Sequence, residues 1–412
     1  PEEDLAPARD QMLRVDIRSA RPEMTLALPV MNPRLPGHQL LHIGYELTPA
    51  VIEKLDEMRV RTLWVDYPSL SFIGKYIDPK TVAIRASVVT QMQDTFETMQ
   101  QSSAAKLNYD AYTDTITNLV DSVISNPEAA LFLGGLTETD GGDELMRSGS
   151  AVTYLSVLLG LKLEGYLIKQ RRHVADPLRA KQVVPLGVGA MLHDIGVTML
   201  PNEVVERYKQ THDELDPAWR EHPALGFRAV RGRIEPTAAT VILHHHQQFD
   251  GKGYAGKDFP VQQGEGIHIF ARIAAVADVF TRLSNPASGE QMPQVWALAA
   301  MLSDKLRTRF DPNVLRALVQ VVPPYPPGCR VTLSDGSEAV VVDHHIADPC
   351  NPTVQLLPGN ELPEPGRPLG ETVDLRENGA LNIVACDGQR TELYNFGPER
   401  IPGNREATFG WA

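Results

Sequence analysis

The sequence is short of cysteine, of positive charge and of long apolar runs. Its three cysteines, Cys329, Cys350 and Cys386, lie near the C-terminal end and include no CxxC pair. Three thiols cannot form a disulfide framework, which fits a reducing compartment. The formal net charge of -13 argues against duplex nucleic acid as a partner, because such partners select a basic face. A small anionic ligand remains compatible with it, since a single pocket can be locally positive.

No stretch approaches the roughly 20 apolar residues that a membrane-spanning helix needs. The first ten residues, PEEDLAPARD, contain neither a basic start nor the apolar centre of a secretory signal. We therefore expect a cytoplasmic protein that has no membrane partner.

A length of 412 residues predicts two or three domains. Residues 1–80 mix short apolar runs with proline, which favours a small α/β accessory or regulatory domain. Helical spacing of apolar residues then predicts a helical linker at 81–126 and a helical bundle at 127–322. The segment PPYPPG ends this pattern, and residues 323–412 have the character of a small β domain. The predicted fold class is mainly α, with small flanking α/β and β domains.

Local signals place individual elements within this outline. Thr48 is a candidate N-cap and Pro49 the first residue of a short helix, which the strand TLWVDY follows. Asp335 and Gly336 predict the turn of a hairpin in the C-terminal domain. The apolar stripes of the 81–126 linker are compatible with pairing to a second copy, and equally with packing inside one chain.

Histidine and aspartate recur in segments that are otherwise apolar and that we therefore expect to be buried. The segments GVGAMLHDIG, REHPALGF, TAATVILHHH and ARIAAVADVF each place such a residue in or beside an apolar run. An unpaired buried carboxylate is costly, so these acids require a cation or a donor. The candidate ligands are His193, Asp194, His222, His245, His246 and Asp278.

Imidazole and carboxylate together suit divalent metals such as iron, manganese and zinc. One ion could bind Asp194, His222, His245 and His246. A second ion could share Asp194 and add His193 and Asp278. Two adjacent ions would generate a hydroxide and stabilise both oxygens of a phosphodiester displacement, which would make His193 and Asp194 catalytic as well as ligating.

These segments, in this order and with DGKGY after the histidines, resemble the HD-GYP family over about residues 140–320. That family is a branch of the HD metal-dependent phosphohydrolases whose members hydrolyse cyclic di-GMP. The resemblance implies metal roles for the six candidate ligands, with iron or manganese as the first choice and zinc, nickel or magnesium as further candidates. It also implies a group of substrate-binding residues, namely Asp250, Gly253, Tyr254 and Arg272.

The sequence departs from the family pattern at several positions. Ser148 stands where the family has a histidine, and Glu144 falls where some members carry a further metal ligand. Val197 replaces the lysine of HDxGK, and Ala255 replaces the proline of GYP. These changes predict weaker capture of metal or substrate, and therefore slow catalysis or none.

The pentapeptide GGDEL at 141–145 matches a diguanylate cyclase signature, but the residues after it are in helical register. A loop before a helix is therefore the better interpretation. The leading function is a metal-dependent phosphodiesterase that converts cyclic di-GMP to pGpG, GMP or both. The alternative is a weakly active or inactive module that senses cyclic di-GMP or acts as a scaffold, with a homodimer or a signalling protein as partner. A general HD nucleotidase would leave DGKGY unexplained.

Overall fold

The computed structural model of the protein describes most of the chain. The described residues are 12–32, 39–58, 60, 62–67, 79–102, 105–127, 144–285, 292–360 and 369–403. Every structural statement below concerns these residues. The GGDEL glycines and Asp143 lie outside them.

The N-terminal part contains two small antiparallel sheets. β1 (Met12–Asp16) pairs with β4 (Thr62–Asp66), and β2 (Val30–Met31) pairs with β3 (Gln39–Leu41). Alternation along β1 directs Leu13 into the core, where it is almost fully buried.

The first helix, α1 (Pro49–Glu57), begins where the sequence predicts it. The Thr48 hydroxyl accepts a hydrogen bond from the Val51 N–H, which satisfies one of the free donors of the first turn. Pro49 occupies the first turn, where its missing N–H costs nothing. The predicted N-cap and the strand that follows are both confirmed.

Two long helices follow, α2 (Pro79–Gln101) and α3 (Tyr109–Ser125). They pack on each other, and their apolar stripes are buried within the chain, as Phe96 and Ile116 show. This packing favours the second interpretation of the linker, in which its apolar residues form part of a single chain's core. The homodimer stays a prediction.

The central bundle is formed by the remaining helices. These are α4 (Glu144–Lys162), α5 (Glu164–Gln170), α6 (Pro177–Ala180), α7 (Val184–Met191), α8 (Asn202–Thr211), α9 (His222–Val230), α10 (Pro236–His244), α11 (Ile269–Ser284), α12 (Gln294–Leu302) and α13 (Pro312–Val321). Helix α7 is buried on nearly every side, since it packs against α3, α4 and α10. Burial of each large aliphatic side chain between α7 and these three helices stabilises the fold by about 1.5–3 kcal/mol.

Short 3-10 turns connect several of these elements. They are Ile17–Ser19, Ile195–Met199, Trp219–Glu221, Gly264–Gly266, Arg307–Arg309, Pro358–Asn360, Glu392–Tyr394 and Pro398–Arg400. Those at Ile195–Met199 and Trp219–Glu221 lie directly beside the candidate ligands Asp194 and His222 in the chain, and so shape the candidate site.

The C-terminal part is a six-stranded antiparallel sheet in the order β10-β9-β5-β6-β7-β8. Its strands are β5 (Arg330–Leu333), β6 (Glu338–Asp343), β7 (Thr353–Leu356), β8 (Thr372–Asp374), β9 (Ile383–Cys386) and β10 (Gln389–Arg390). The predicted turn at Asp335 and Gly336 joins β5 to β6, with Gly336 at a φ of +85° that favours glycine. The three cysteines are buried and unbridged.

The predicted fold class is therefore confirmed: the protein is mainly helical, with small sheets before and after the bundle. One large cluster of buried apolar residues has members in all parts of the described chain, from Leu13 to Ile401. The domain boundaries proposed at 80, 126 and 322 stay predictions.

Within the described residues, no single helix combines the length and the apolar character that a bilayer crossing requires. Two sharply bent helix pairs, Leu145–Lys162 with Glu164–Gln170 and Pro177–Met199 with Asn202–Thr211, satisfy that test by length and composition only.

Candidate metal centre

The centre begins where α7 ends. Buried apolar residues carry α7 to its C-cap at Leu192, and His193 and Asp194 then turn the chain into the 3-10 helix Ile195–Met199. His193 is fully buried, whereas the Asp194 side chain is 21% exposed. The HD pair thus lies at the inner end of the most apolar helix of the bundle.

Gly196 allows this turn to touch α9. A Cβ at residue 196 would overlap the carbonyl oxygen of His222 and crowd the backbone nitrogen of Gly226. Because both are main-chain atoms, neither can rotate away. The absence of a side chain at residue 196 is therefore what brings Asp194 and His222 together.

Replacing Gly196 with alanine is expected to reduce the free energy of unfolding by about 1–3 kcal/mol, because the two segments would have to separate. Urea denaturation monitored by circular dichroism measures this. Gly165→Ala is the matched control, since a Cβ there meets nothing within 4 Å. It lies in α5, where alanine is favoured by up to about 1 kcal/mol. Equal midpoints for the two variants would contradict the close-approach argument.

Two histidines face Asp194 from separate helices. The Nε2 atoms of His222 and His245 lie 3.3 Å apart, and Asp194 Oδ1 is 3.3 Å from the first and 3.5 Å from the second. Each Nδ1 contacts a backbone carbonyl, Trp219 O at 2.8 Å for His222 and Ile242 O at 2.9 Å for His245. A carbonyl only accepts, so these Nδ1 atoms carry the hydrogen and the Nε2 lone pairs point inward.

His246 completes the cluster. One donor atom from each of Asp194, His222, His245 and His246 lies within 4.8 Å of the others, the only such group in the described part of the chain. Lone pairs of three imidazoles and a carboxylate converging on one point repel each other unless a cation lies between them. The residues present therefore fit a divalent metal.

The protonation states agree with a metal site. Burial lowers the pKa of His245 to about 4 and holds the pKa of His246 well below its usual value. Burial alone would raise the pKa of Asp194, but the charge of the neighbouring His193 keeps that pKa well below the usual range. At neutral pH His245 and His246 are neutral and Asp194 is ionised, as metal ligands must be.

The two remaining predicted ligands lie outside this cluster. His193 Nε2 forms an ion pair with Asp194 Oδ2 at 3.2 Å. Burial lowers the pKa of His193, but the charges of Asp194 and Asp278 outweigh it and raise the pKa to about 9. Burial raises the pKa of Asp278 to about 7, although the charge of His193 opposes this shift. The arrangement with two ions stays a prediction.

Asp278 has a partner that the sequence analysis missed. Arg282 Nη2 donates to Asp278 Oδ2 at 2.8 Å from one turn further along α11. The signal was present in the sequence, because residues four apart on a helix share a face. An arginine in an otherwise apolar helix, at that spacing from a buried acid, indicates an ion pair.

The DGKGY segment folds back on the histidines. Tyr254 N donates to the carbonyl of His246, and its ring stacks on that imidazole at 4.7 Å between centroids. A Cβ at Gly253 would overlap main-chain atoms of residues 246–248, which explains the glycine. Asp250 instead interacts with Lys252 and with Thr308. Tyr254 and Gly253 thus lie beside the four-donor cluster. The substrate roles of Asp250, Gly253 and Tyr254 stay predictions.

Arg272 is buried on α11, and both of its terminal guanidinium nitrogens have partners. Its Nη1 pairs with Asp311 Oδ2 at 2.5 Å, and its Nη2 donates to Gln170 Oε1 at 2.5 Å. Tyr166 donates its hydroxyl hydrogen to the same Asp311 oxygen at 2.9 Å. The predicted contact of Arg272 with a nucleotide stays untested, and its present partners indicate a structural ion pair.

The family departures can be located only in part. Val197 packs in a small apolar cluster with Leu200, Val204 and Trp219. Ser148 lies within α4, one turn after its start at Glu144. The Glu144 side chain is outside the described residues, and its proposed metal role stays a prediction.

Comparison with known proteins agrees with this geometry. Residues 171–314 match the family model described as HD domain. The chain is 29% identical over 289 residues to cyclic di-GMP phosphodiesterase PA4108 of Pseudomonas aeruginosa, covering 69% of this chain and 63% of that protein. It is 26% identical over 300 residues to the cyclic di-GMP phosphodiesterase response regulator RpfG of Xanthomonas campestris, covering 70% of this chain and 69% of that protein.

A further relative is the 3'3'-cGAMP-specific phosphodiesterase 3 of Vibrio cholerae, 25% identical over 264 residues, with 58% of this chain and 55% of that protein covered. The chain therefore matches less than two thirds of the Pseudomonas and Vibrio proteins. The resemblance inferred from the motifs is confirmed.

Proposed function

We propose, from the match of residues 171–314 to the HD domain model, that the chain is a metal-dependent phosphodiesterase that hydrolyses cyclic di-GMP to pGpG, GMP or both. The observation that carries the proposal is the convergence of Asp194 Oδ1 with the inward Nε2 atoms of His222 and His245. The names of the relatives support the substrate, since two of them are cyclic di-GMP phosphodiesterases.

The charges of the cluster suit a phosphodiester. A divalent ion held by Asp194, His222, His245 and His246 would supply Lewis acidity toward a phosphate oxygen and lower the pKa of a bound water. One carboxylate and three neutral imidazoles compensate only part of such an ion's charge. The remaining positive charge attracts the single negative charge of a bridging phosphate.

The surroundings of the cluster orient a ligand and limit water. Tyr254 stacks on His246, and the guanidinium carbon of Arg220 lies 4.7 Å from the centroid of the Tyr254 ring. Trp219 packs against Tyr208 with ring centroids 3.5 Å apart and shields the start of α9. A substrate phosphate would thus reach the metal past aromatic side chains.

Iron and manganese are the metals that we propose first, because imidazole with carboxylate suits both. The sequence also predicted a second ion held by His193 and Asp278. The ion pair between Asp278 and Arg282 bears directly on that ion.

The second candidate function is a cyclic di-GMP sensor or scaffold without turnover. The apolar environment of Val197 favours it, because a phosphate contact expected from the family is absent there. The buried metal-ligand cluster favours the enzyme, since a scaffold has no physical need for converging lone pairs.

A direct assay separates the two functions. Protein purified without air is supplied with Mn²⁺ or Fe²⁺ and incubated with cyclic di-GMP, 3'3'-cGAMP or cyclic AMP, and products are separated by chromatography. We expect cyclic di-GMP to yield pGpG or GMP, and a chelator to stop the reaction. Tight binding of cyclic di-GMP with no product under every metal condition would contradict the enzyme and support the sensor.

A further inference from the structure

Arg282 holds two acids from different parts of the fold. Its Nη2 pairs with Asp278 Oδ2 at 2.8 Å, and its Nη1 forms an ion pair with Glu214. Glu214 belongs to residues 212–221, the segment between α8 and α9 that we call the covering segment. Asp278 is buried, whereas the Arg282 side chain is 31% exposed. The guanidinium therefore lies at the boundary between the ligand cluster and the segment above it.

This arrangement does not fit a second metal ion. One of the two Asp278 carboxylate oxygens, Oδ2, already accepts from a guanidinium, and His193 Nε2 is directed to Asp194 Oδ2 at 3.2 Å. In the described part of the chain, only the four donors around Asp194 converge on one point. A divalent cation beside Asp278 would also be repelled by the fixed charge of Arg282.

Among the described residues, the buried donors of this region that have no acceptor include Arg282 Nε and the Tyr254 hydroxyl. Arg282 is tied to this region by its pair with Asp278, and Tyr254 by its stacking on His246. Buried donors without acceptors are costly, so their presence together indicates an acceptor-rich ligand. A phosphate offers several strong acceptor oxygens.

We propose that the Arg282 guanidinium replaces the second cation, so that the chain binds one divalent ion and Arg282 contacts the phosphate of the substrate directly. The inference deepens the proposed phosphodiesterase function and rests on it. Arg282 would keep Asp278 as its anchor through Nη2. Nε and Nη1 would donate to a phosphate oxygen, and the Glu214 carboxylate would be displaced from Nη1.

The role of Glu214 follows from charge. In the free protein its carboxylate occupies the position on Arg282 that a phosphate would take, and so competes with the substrate. Displacement would release the covering segment at Glu214, while the ion pair between Asp216 of this segment and Arg207 of α8 stays intact. Glu214 would thus tune substrate affinity without contacting the metal.

The number of metal ions bound per chain tests whether Arg282 replaces the second ion, and this measurement does not require catalytic activity. The full chain is loaded with excess Mn²⁺ and freed of unbound metal, and its manganese content is then measured by elemental mass spectrometry. We expect one ion per wild-type chain, and additional Mn²⁺ in Arg282→Ala, because His193 and Asp278 become available. Two ions in the wild type, or one ion in both proteins, would overturn the inference. Arg282→Gln, which keeps the size and polarity, serves if thermal melting shows that the alanine variant is unfolded.

Ligand affinity tests the contact with phosphate. Titration with cyclic di-GMP in the presence of Ca²⁺ in place of the active metal is expected to show about 10- to 100-fold weaker binding for Arg282→Ala, the loss typical of a charged hydrogen bond. Arg282→Lys should recover part of it, and Glu214→Gln should bind more tightly than the wild type. Arg207→Ala, which removes a guanidinium from α8 beside the covering segment, is the matched control and should bind normally.

The proposed phosphodiesterase activity and the proposed role of Arg282 are contradicted by different results. A wild type that binds one Mn²⁺ and cyclic di-GMP but forms no product contradicts the proposed enzyme and leaves the assignment of Arg282 intact. Unchanged affinity in Arg282→Ala, with the fold and the metal retained, overturns the contact with phosphate whether or not the wild type is active.

Discussion

Asp194→Ala is expected to bind metal at least about 100-fold more weakly than the wild type and to lose hydrolysis of cyclic di-GMP. Even partners outside the ligand sphere change metal affinity by about 10- to 100-fold, and Asp194 supplies the only ionised oxygen of the four-donor cluster. Its loss removes the negative charge that balances a divalent ion and leaves three imidazoles facing each other. Titration with Mn²⁺ and the chromatographic assay measure the two effects.

Asp258→Ala is the control for that result. Asp258 lies within the same segment 171–314 that matches the HD domain model, but its side chain is 53% exposed and pairs with Arg228 at the surface. Its removal should leave metal affinity and hydrolysis close to those of the wild type. If both aspartate variants bound Mn²⁺ equally well, the ion would have to be held elsewhere, and the four-donor site would be wrong.

Arg272→Ala is expected to lower the free energy of unfolding by about 3–5 kcal/mol. The side chains of Arg272 and Asp311 are 3% and 0% exposed, so the substitution leaves a buried carboxylate without its cation. Asp311 also caps α13 by accepting from Asn313 N at 2.8 Å, which prevents it from turning toward water. Chemical denaturation with guanidinium chloride gives the magnitude.

Two further variants show whether the ion pair is structural. Arg307→Ala breaks an exposed pair with Asp304 and should cost no more than about 1 kcal/mol. Arg272→Met combined with Asp311→Asn removes both charges and keeps the cap, so it should recover much of the lost stability. A folded, fully stable Arg272→Ala that fails to bind cyclic di-GMP would instead favour the role at the nucleotide that the family resemblance implies.

Much of the fold could be predicted because the signals that specify it are local. Thr48 and Pro49 identify a helix start from adjacent residues, and Asp335 with Gly336 identifies a turn. The candidate ligands were found for a related reason, since a charged residue in an apolar run is visible within ten residues of sequence.

The partners of the charged side chains could not be predicted in the same way. Arg272 and Asp311 are 39 residues apart, and nothing in the local pattern of either residue specifies the other. The pair of Arg282 with Asp278 was within reach, because the spacing of four is a local signal. The competition of Glu214 for Arg282 depends on how the covering segment folds over α11, which spacing does not specify.

The convergence of the four donors also links metal supply to the lifetime of the folded chain. Asp194, His222 and the pair at 245 and 246 come from three separate segments, so the unfolded chain has no preformed site. An ion that binds only the native state stabilises it by about 2.7 kcal/mol when free metal is a hundred times its dissociation constant. A cell short of that metal would then lose the protein to proteolysis as well as its activity, and the amount of enzyme would itself report metal status.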